Sequence, residues 1–273
     1  MTSGKDQIDA NAMKELARSG NAEAQYGLGQ MYERGKGVTK SDAEAVKWYT
    51  LSADQGNVWA QCDLGRMCES GKGTPKDEKK AAGCYEKAAA AKDMWGQYHL
   101  GRMYANGKGV PKDTGKSAEL FKLAADQDVL PAKYELGMMY ARGNRIKKDL
   151  GKACKFLKPV AESGNVWSQY ELGRILSKEE WSGKNDEEAV KWFKLAADQG
   201  NSSAQYDLGK MYADGKGVIQ NDKEAVRLYR LSADQGNSSA QYDLGWMYAA
   251  GRGVKKSEDE ARKWFALSER SEK

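Results

Sequence analysis

Few residues in this 273-residue chain could carry covalent or metal chemistry: one His, His99, and four Cys at 62, 68, 84 and 154. A single imidazole falls short of most zinc sites, and His99 reads as an incidental surface residue rather than as the base of a His-dependent triad. No Ser-x-x-Lys occurs to supply a penicillin-recognising nucleophile. The stretch Gly29 to Lys36 has two Gly and a Lys in an order that suggests a phosphate loop. A Walker motif needs four residues between its glycines and Ser or Thr after the Lys, whereas here five intervene and Gly37 follows. Eight Trp, 14 Tyr and 44 Lys plus Arg remain, residue types that recognise surfaces rather than break bonds.

The elements that hold them repeat. Leu-Gly recurs at residues 28, 64, 100, 136, 172, 208 and 244, always 36 residues apart. Around it run Ala-Gln-Tyr-x-Leu-Gly-x-Met-Tyr, then Gly-x-Gly-Val, then Ala-Val-Lys-Trp-Tyr and Ala-Asp-Gln-Gly-Asn. Ala24, Leu28, Met31 and Tyr32 share one helical face, which defines helix A of the copy. The turn Gly35-Lys36-Gly37-Val38 ends it. Ser41, Asp77, Asp113, Asp149, Asn185, Asn221 and Ser257 are N-caps for helix B, and Glu44, Glu188, Glu224 and Glu260 three residues later complete capping boxes. Helix B has its own buried face, Ala45, Trp48, Tyr49, Ser52 and Ala53. Two such short helices cannot bury their faces alone, so the copies must stack. The expected fold is all-α: a right-handed α/α solenoid of helix-turn-helix repeats. It is expected as a single array over 7–273, with a truncated leading helix at 7–20, seven repeats at 21–272 and a disordered N-terminus at 1–6.

The Leu-Gly-x-Met-Tyr, Gly-x-Gly-Val and Ala-x-x-Trp-Tyr pattern, clearest in 28–49, 208–229 and 244–265, resembles the Sel1-like repeat family, a relative of the tetratricopeptide repeats. The resemblance implies a non-enzymatic scaffold without cofactors that binds another protein in its concave groove, such as a bacterial adaptor, or an immunity protein neutralising a secreted effector. Some cysteine-rich secreted members staple the two helices of each repeat with a disulfide. That pattern is absent here: Cys68, Cys84 and Cys154 replace Tyr32, Trp48 and Val46 as core residues, and the thiols read as small buried hydrophobes in a reducing compartment. Cys68 and Cys84 fall on facing helices of one copy, which leaves a single bridge between them as the alternative.

What distinguishes this chain lies where the copies differ. On the helix A face opposite Leu28, the position of Glu23 becomes Trp59, Trp95, Pro131, Trp167, Ser203 and Ser239. The position of Gln30 becomes Arg66, Arg102, Met138, Arg174, Lys210 and Trp246. That of Tyr26 is Tyr throughout, including Tyr98, Tyr134 and Tyr170, except at Cys62. With helices about 10 Å apart, these side chains form a candidate partner-binding stripe rich in hot-spot residue types. The position of Gly27 is acidic in most copies (Asp63, Glu135, Glu171, Asp207, Asp243), as expected for i,i+3 surface ion pairs with the cation that follows. Two copies are irregular. Copy four carries Pro159 late in helix B, expected to bend or shorten it. Copy five replaces the glycine turn with a charged loop bearing Trp181, a candidate contact residue.

A formal charge of +5 with no basic run beyond pairs such as Lys147-Lys148 does not single out nucleic acid or membrane surface. RNA binding is a second class, since Arg beside aromatics can stack bases, but carboxylates along the stripe oppose it. A β-lactam hydrolase is a third, and it lacks its nucleophile. No segment has the ~20 apolar residues of a membrane span. The expected compartment is the cytoplasm as the sequence stands, or the periplasm or exterior if a leader has been trimmed.

Overall fold

The structure, a computed structural model, describes residues 4–143 and 146–271. Among them no strand occurs, and fifteen helices follow in order: α1 (Gly4–Arg18), α2 (Ala22–Arg34), α3 (Asp42–Asp54), α4 (Val58–Ser70), α5 (Glu78–Ala90), α6 (Met94–Asn106), α7 (Thr114–Asp126), α8 (Leu130–Arg142), α9 (Leu150–Glu162), α10 (Val166–Leu176), α11 (Asp186–Asp198), α12 (Ser202–Asp214), α13 (Asp222–Asp234), α14 (Ser238–Ala250) and α15 (Glu258–Ser271). Even-numbered members are the A helices of seven repeats and odd-numbered ones the B helices. The leading helix α1 starts three residues before position 7, and residues 1–3 lie outside the described residues.

By internal packing the chain divides into two units, 1–136 and 137–273. In the first, each helix from α1 to α6 packs on the next in chain order, and in the second the same holds from α9 to α14. Each unit is thus an α/α solenoid of helix-turn-helix repeats, with cores such as Ala45, Tyr49, Leu64, Met67, Tyr85 and Leu100 in the first and Ala225, Tyr229, Leu244 and Met247 in the second.

The glycine of each Leu-Gly has a packing reason. The aromatic ring of helix B lies directly against the helix A backbone at that point. A Cβ at Gly29 would sit 2.6 Å from the Tyr49 ring, at Gly65 2.7 Å from Tyr85, and at Gly209 2.8 Å from Tyr229. In Gly-x-Gly the two glycines differ in role. The first is a left-handed C-cap, with Gly71 at φ 74° donating to Met67 O. The second meets the previous repeat: a Cβ on Gly73 would fall 2.3 Å from the Asp42 carbonyl oxygen.

The N-caps hold as expected, with Asp77 accepting from Lys80 N at 2.9 Å and Asn185 from Glu188 N at 2.9 Å. The reciprocal arm of the capping box is a different bond. The N-cap amide donates to the preceding helix A, as in Ser41 N to Tyr32 O at 2.9 Å and Asn221 N to Tyr212 O at 2.9 Å. This closes each hairpin and releases the glutamates for ion pairs such as Glu44 with Lys47 at 2.9 Å and Glu224 with Arg227 at 2.6 Å.

A buried glutamine joins successive repeats. Gln25 Nε2 donates to the Ala17 carbonyl at 3.1 Å, and its Oε1 accepts from Gln55 Nε2 at 2.6 Å. The same pair of bonds recurs at Gln169 and Gln205. The rung is incomplete at Gln61, whose buried Oε1 has no partner because residue 91, the counterpart of Gln55, is Ala.

The described parts of the irregular copies keep the regular helices. Pro159 neither shortens nor breaks α9, which keeps the 13 residues of its counterparts. The carbonyl it frees belongs to the exposed Lys155, where water can take the bond. In copy five the hairpin still closes, Asn185 N donating to Leu176 O at 2.8 Å. Of the copy-four turn, Asn144 and Arg145 lie outside the described residues.

Two outcomes follow for stability. Gly209→Ala places a methyl inside the Tyr229 contact and is expected to lower unfolding free energy by roughly 1–3 kcal/mol, read by urea denaturation. Ala91→Gln supplies the missing donor to Gln61 in a backbone conformation matching that of Gln55 (φ −77° against −86°), and should raise stability by about 1 kcal/mol. A neutral or destabilising result would show that the glutamine pair adds nothing to the stability of a repeat.

Candidate functional site

Most of the variable helix A positions are exposed or half-buried and share one helical face within each unit. In the first unit Trp59 on α4 and Trp95 on α6 are 60% and 43% exposed. Trp59 lies 6.0 Å from the Tyr26 ring, Trp95 meets Tyr98 edge-on at 6.1 Å, and the Arg102 guanidinium lies 5.9 Å from the Tyr98 ring centre. In the second unit Trp167 and Trp246 are 59% and 55% exposed. There Arg174 lies over Tyr170 at 5.8 Å and Lys210 over Tyr206 at 5.5 Å. Tyr98, Tyr134 and Tyr170 are half-buried. Met138, expected on the open face, is buried instead.

Trp181 is elsewhere. It is half-buried in the loop after α10 and lines a cavity of about 540 Å3 with Cys154, Pro159, Leu176 and Trp192. Lys184 braces this loop through Glu179 at 3.2 Å and Asp186 at 2.7 Å.

The cations of the face are already engaged. Arg66 pairs with Asp63 at 3.1 Å, as expected from the spacing, and also with Glu33 of the preceding repeat at 2.8 Å. Against the opposing effect of burial, the Tyr49 hydroxyl, donating at 2.9 Å, and then Arg66 hold the Glu33 carboxyl below its ordinary range. Arg102 approaches Glu69 at 3.9 Å and Arg174 pairs with Glu171 at 3.1 Å. The acidic positions do a second job that the spacing hides: each can accept from the tyrosine of the preceding repeat. Tyr26 donates to Asp63 and Tyr206 to Asp243, both at 3.1 Å, and Tyr170 to Asp207. Burial and the nearby Asp63 charge push the Tyr26 hydroxyl up to about 12, and burial raises the carboxyls of Asp207 and Asp243.

This tyrosine-acid ladder breaks where Cys62 stands for Tyr and His99 for an acid. The Cys62 thiol donates instead to Asp93 at 3.0 Å. His99 is no surface residue: its ring stacks on Tyr85 at 4.9 Å and 14°, and its buried Nδ1 lacks a partner. Burial, assisted by Arg102, pushes its pKa down to about 4. Beside it, Trp59, Trp95, Cys62 and Asp93 line a cavity of about 290 Å3. All four cysteines are free, including Cys68 and Cys84, and burial raises each thiol, to about 11 for Cys84 and Cys154. Thiols held protonated in this way are poor nucleophiles. Among the described residues no group of three or more His, Cys, Asp or Glu could hold a metal, and no helix is long and apolar enough to cross a membrane.

A helical-repeat scaffold with an aromatic face is the class these features define. Seven matches to the Sel1 repeat, over residues 22–57, 60–93, 96–129, 130–165, 168–201, 202–237 and 238–270, cover nearly all of the chain, which therefore belongs to the Sel1 repeat family. The crystal structure of c5321, a protective antigen of uropathogenic Escherichia coli with an SLR fold, is 34% identical with a TM-score of 0.81, covering 96% of this chain and 56% of that one. A Sel1 repeat protein from Oxalobacter formigenes is 31% identical with a TM-score of 0.67, covering 97% and 78%. A sel1-like repeat-containing protein of Acanthamoeba polyphaga mimivirus, L18, is 51% identical over 43 residues, 16% of this chain and 7% of its own length. The chain thus spans about half of c5321 and a small part of L18.

The His99 environment has a measurable signature. As pH falls, an unfolded chain protonates this imidazole at its ordinary 6.5 and the folded chain only near 4. Its contribution is therefore complete above about 6.5 and is lost between 6.5 and 4, amounting to roughly 1–3 kcal/mol. In His99→Gln that part of the pH dependence should vanish, seen as a shallower fall in melting temperature over this window than in the wild type.

Proposed function

We infer that this chain is a non-enzymatic adaptor that holds a partner polypeptide along the helix A faces. Sel1 repeats serve in general as protein-interaction scaffolds. The observation that carries the reading is the exposure of Trp59, Trp95, Trp167 and Trp246 at positions where other copies carry Ser, Glu or Gln, so the repeat fold does not require them. Exposed indoles combine large area with little side-chain entropy to lose, as interface anchors do. Arg102 and Arg174 lie over their tyrosines and add polar reach, while Arg66 serves mainly to join two repeats. RNA is the weaker reading, because Asp63, Asp207 and Asp243 place carboxylates beside the cations a phosphate backbone would need.

The test compares baits. Wild-type chain, a Trp59→Ala/Trp95→Ala variant and a Trp167→Ala/Trp246→Ala variant would be used in quantitative affinity capture from the source cells. Proteins retained by wild type and depleted at least fivefold by a variant whose melting temperature is unchanged are the expected result. Identical retention by all three baits would remove the helix A face from binding.

A further inference from the structure

We propose that the cavity between Trp59 and Trp95 receives the guanidinium group of an arginine side chain from a partner polypeptide. This rests on the scaffold reading and specifies the chemistry of one anchor point on the face.

Three departures from the repeat pattern meet at this cavity. Position 62 is Tyr in the six other copies and Cys here, so the ring that elsewhere occupies this place is missing. Position 99, acidic in five of the other copies, is His, and with no tyrosine hydroxyl above it the ladder has a gap. Position 93 caps the next helix A, as Asn does at 21, 57, 165, 201 and 237, but here it is Asp. An asparagine makes the same cap, so capping does not account for the extra charge. Trp59 and Trp95 are also the only Trp at this position in consecutive repeats.

The resulting volume of about 290 Å3 lies at the lower edge of the ~300–1,000 Å3 of small-molecule sites and suits a single side chain. Its charge is negative. Arg66 is committed to Glu33 and Asp63, and His99 is neutral near pH 7 because burial depresses its basicity. Among the described residues no cation pairs with the Asp93 carboxylate, which accepts from Gly96 N at 2.6 Å and the Cys62 thiol at 3.0 Å, both through Oδ1. A carboxylate flanked by two indoles favours a cation that can also stack. Guanidinium meets both demands, since it is planar, weakly hydrated and able to donate in parallel to a carboxylate.

The probe is the capped tripeptide acetyl-Gly-Arg-Gly-amide, set against the same peptide with citrulline, which keeps the shape and removes the charge. Both would be titrated into the full chain while the indole N–H signals of Trp59 and Trp95 and the ring signals of His99 are followed by NMR. The arginine peptide should shift these signals saturably and bind at least tenfold more tightly than the citrulline peptide. Asp93→Asn, which restores the cap used by five other copies, should reduce this preference to less than twofold. Cys62→Tyr, which restores the missing ring, should abolish binding without lowering the melting temperature. Equal binding of the two peptides, an undiminished preference in Asp93→Asn, or no shift at saturating peptide would each overturn the proposal. If the cavity fails this test while the tryptophan variants still lose their captured partner, the face binds protein without an arginine anchor. If those variants retain every partner, the scaffold reading itself falls.

Discussion

The contact on which each repeat depends is the aromatic ring of helix B pressed against bare backbone on helix A. At Gly29, Gly65, Gly101, Gly173, Gly209 and Gly245 a Cβ would stand 2.6–2.9 Å from the ring of Tyr49, Tyr85, Phe121, Phe193, Tyr229 or Phe265. That approach sets the separation of the two helices, and interiors at near-crystalline density tolerate little change in it. Other periodic features are built around this spacing: the adjacent leucine is buried beside it, and the N-cap amide reaches back to helix A to close the hairpin.

Between repeats the structure relies on polar bonds placed where apolar burial cannot fix the register. The glutamine rung and the tyrosine-acid ladder link neighbouring repeats, as in Gln25 with the Ala17 carbonyl of the preceding helix and Tyr26 with Asp63, while Gln55 ties Gln25 to its own repeat. A directional bond in a partly dry interface specifies one sliding position, whereas Ala and Leu faces alone would accept several. The same arrangement explains why the candidate face is less cationic than its composition suggests. Arg66 and Arg174 spend part of their charge on the carboxylates that also serve the ladder, and the open surface is left mainly to indoles.

Local variation in the array arises here by subtraction. Replacing the Tyr of one rung with Cys62 opens a cavity, and replacing its acid with His99 leaves a neutral ring on the floor. A solenoid tolerates such a local change because each repeat leans only on its neighbours, so one rung can be given up while the others keep the register. Copy five shows the same tolerance, the lost glycine turn being replaced by a loop held through Lys184.

The sequence by itself determined the helix pairs, their period, their caps and their buried leucines, because each depends on residues a few positions apart, and local chain geometry is legible at that range. It also placed Trp59, Trp95, Trp167 and Trp246 on an open face, since helical phase relative to Leu28 settles that question. Tertiary structure decided the rest. That His99 would stack half-buried on Tyr85, that Trp181 would turn into a separate cavity, that Met138 would be covered and that the glutamates after the N-caps would form ion pairs all depend on what the neighbouring helix brings to the site. The Leu-Gly period announced the glycine but not its reason, which is a ring twenty residues later in the chain whose closeness appears only once both helices are in place.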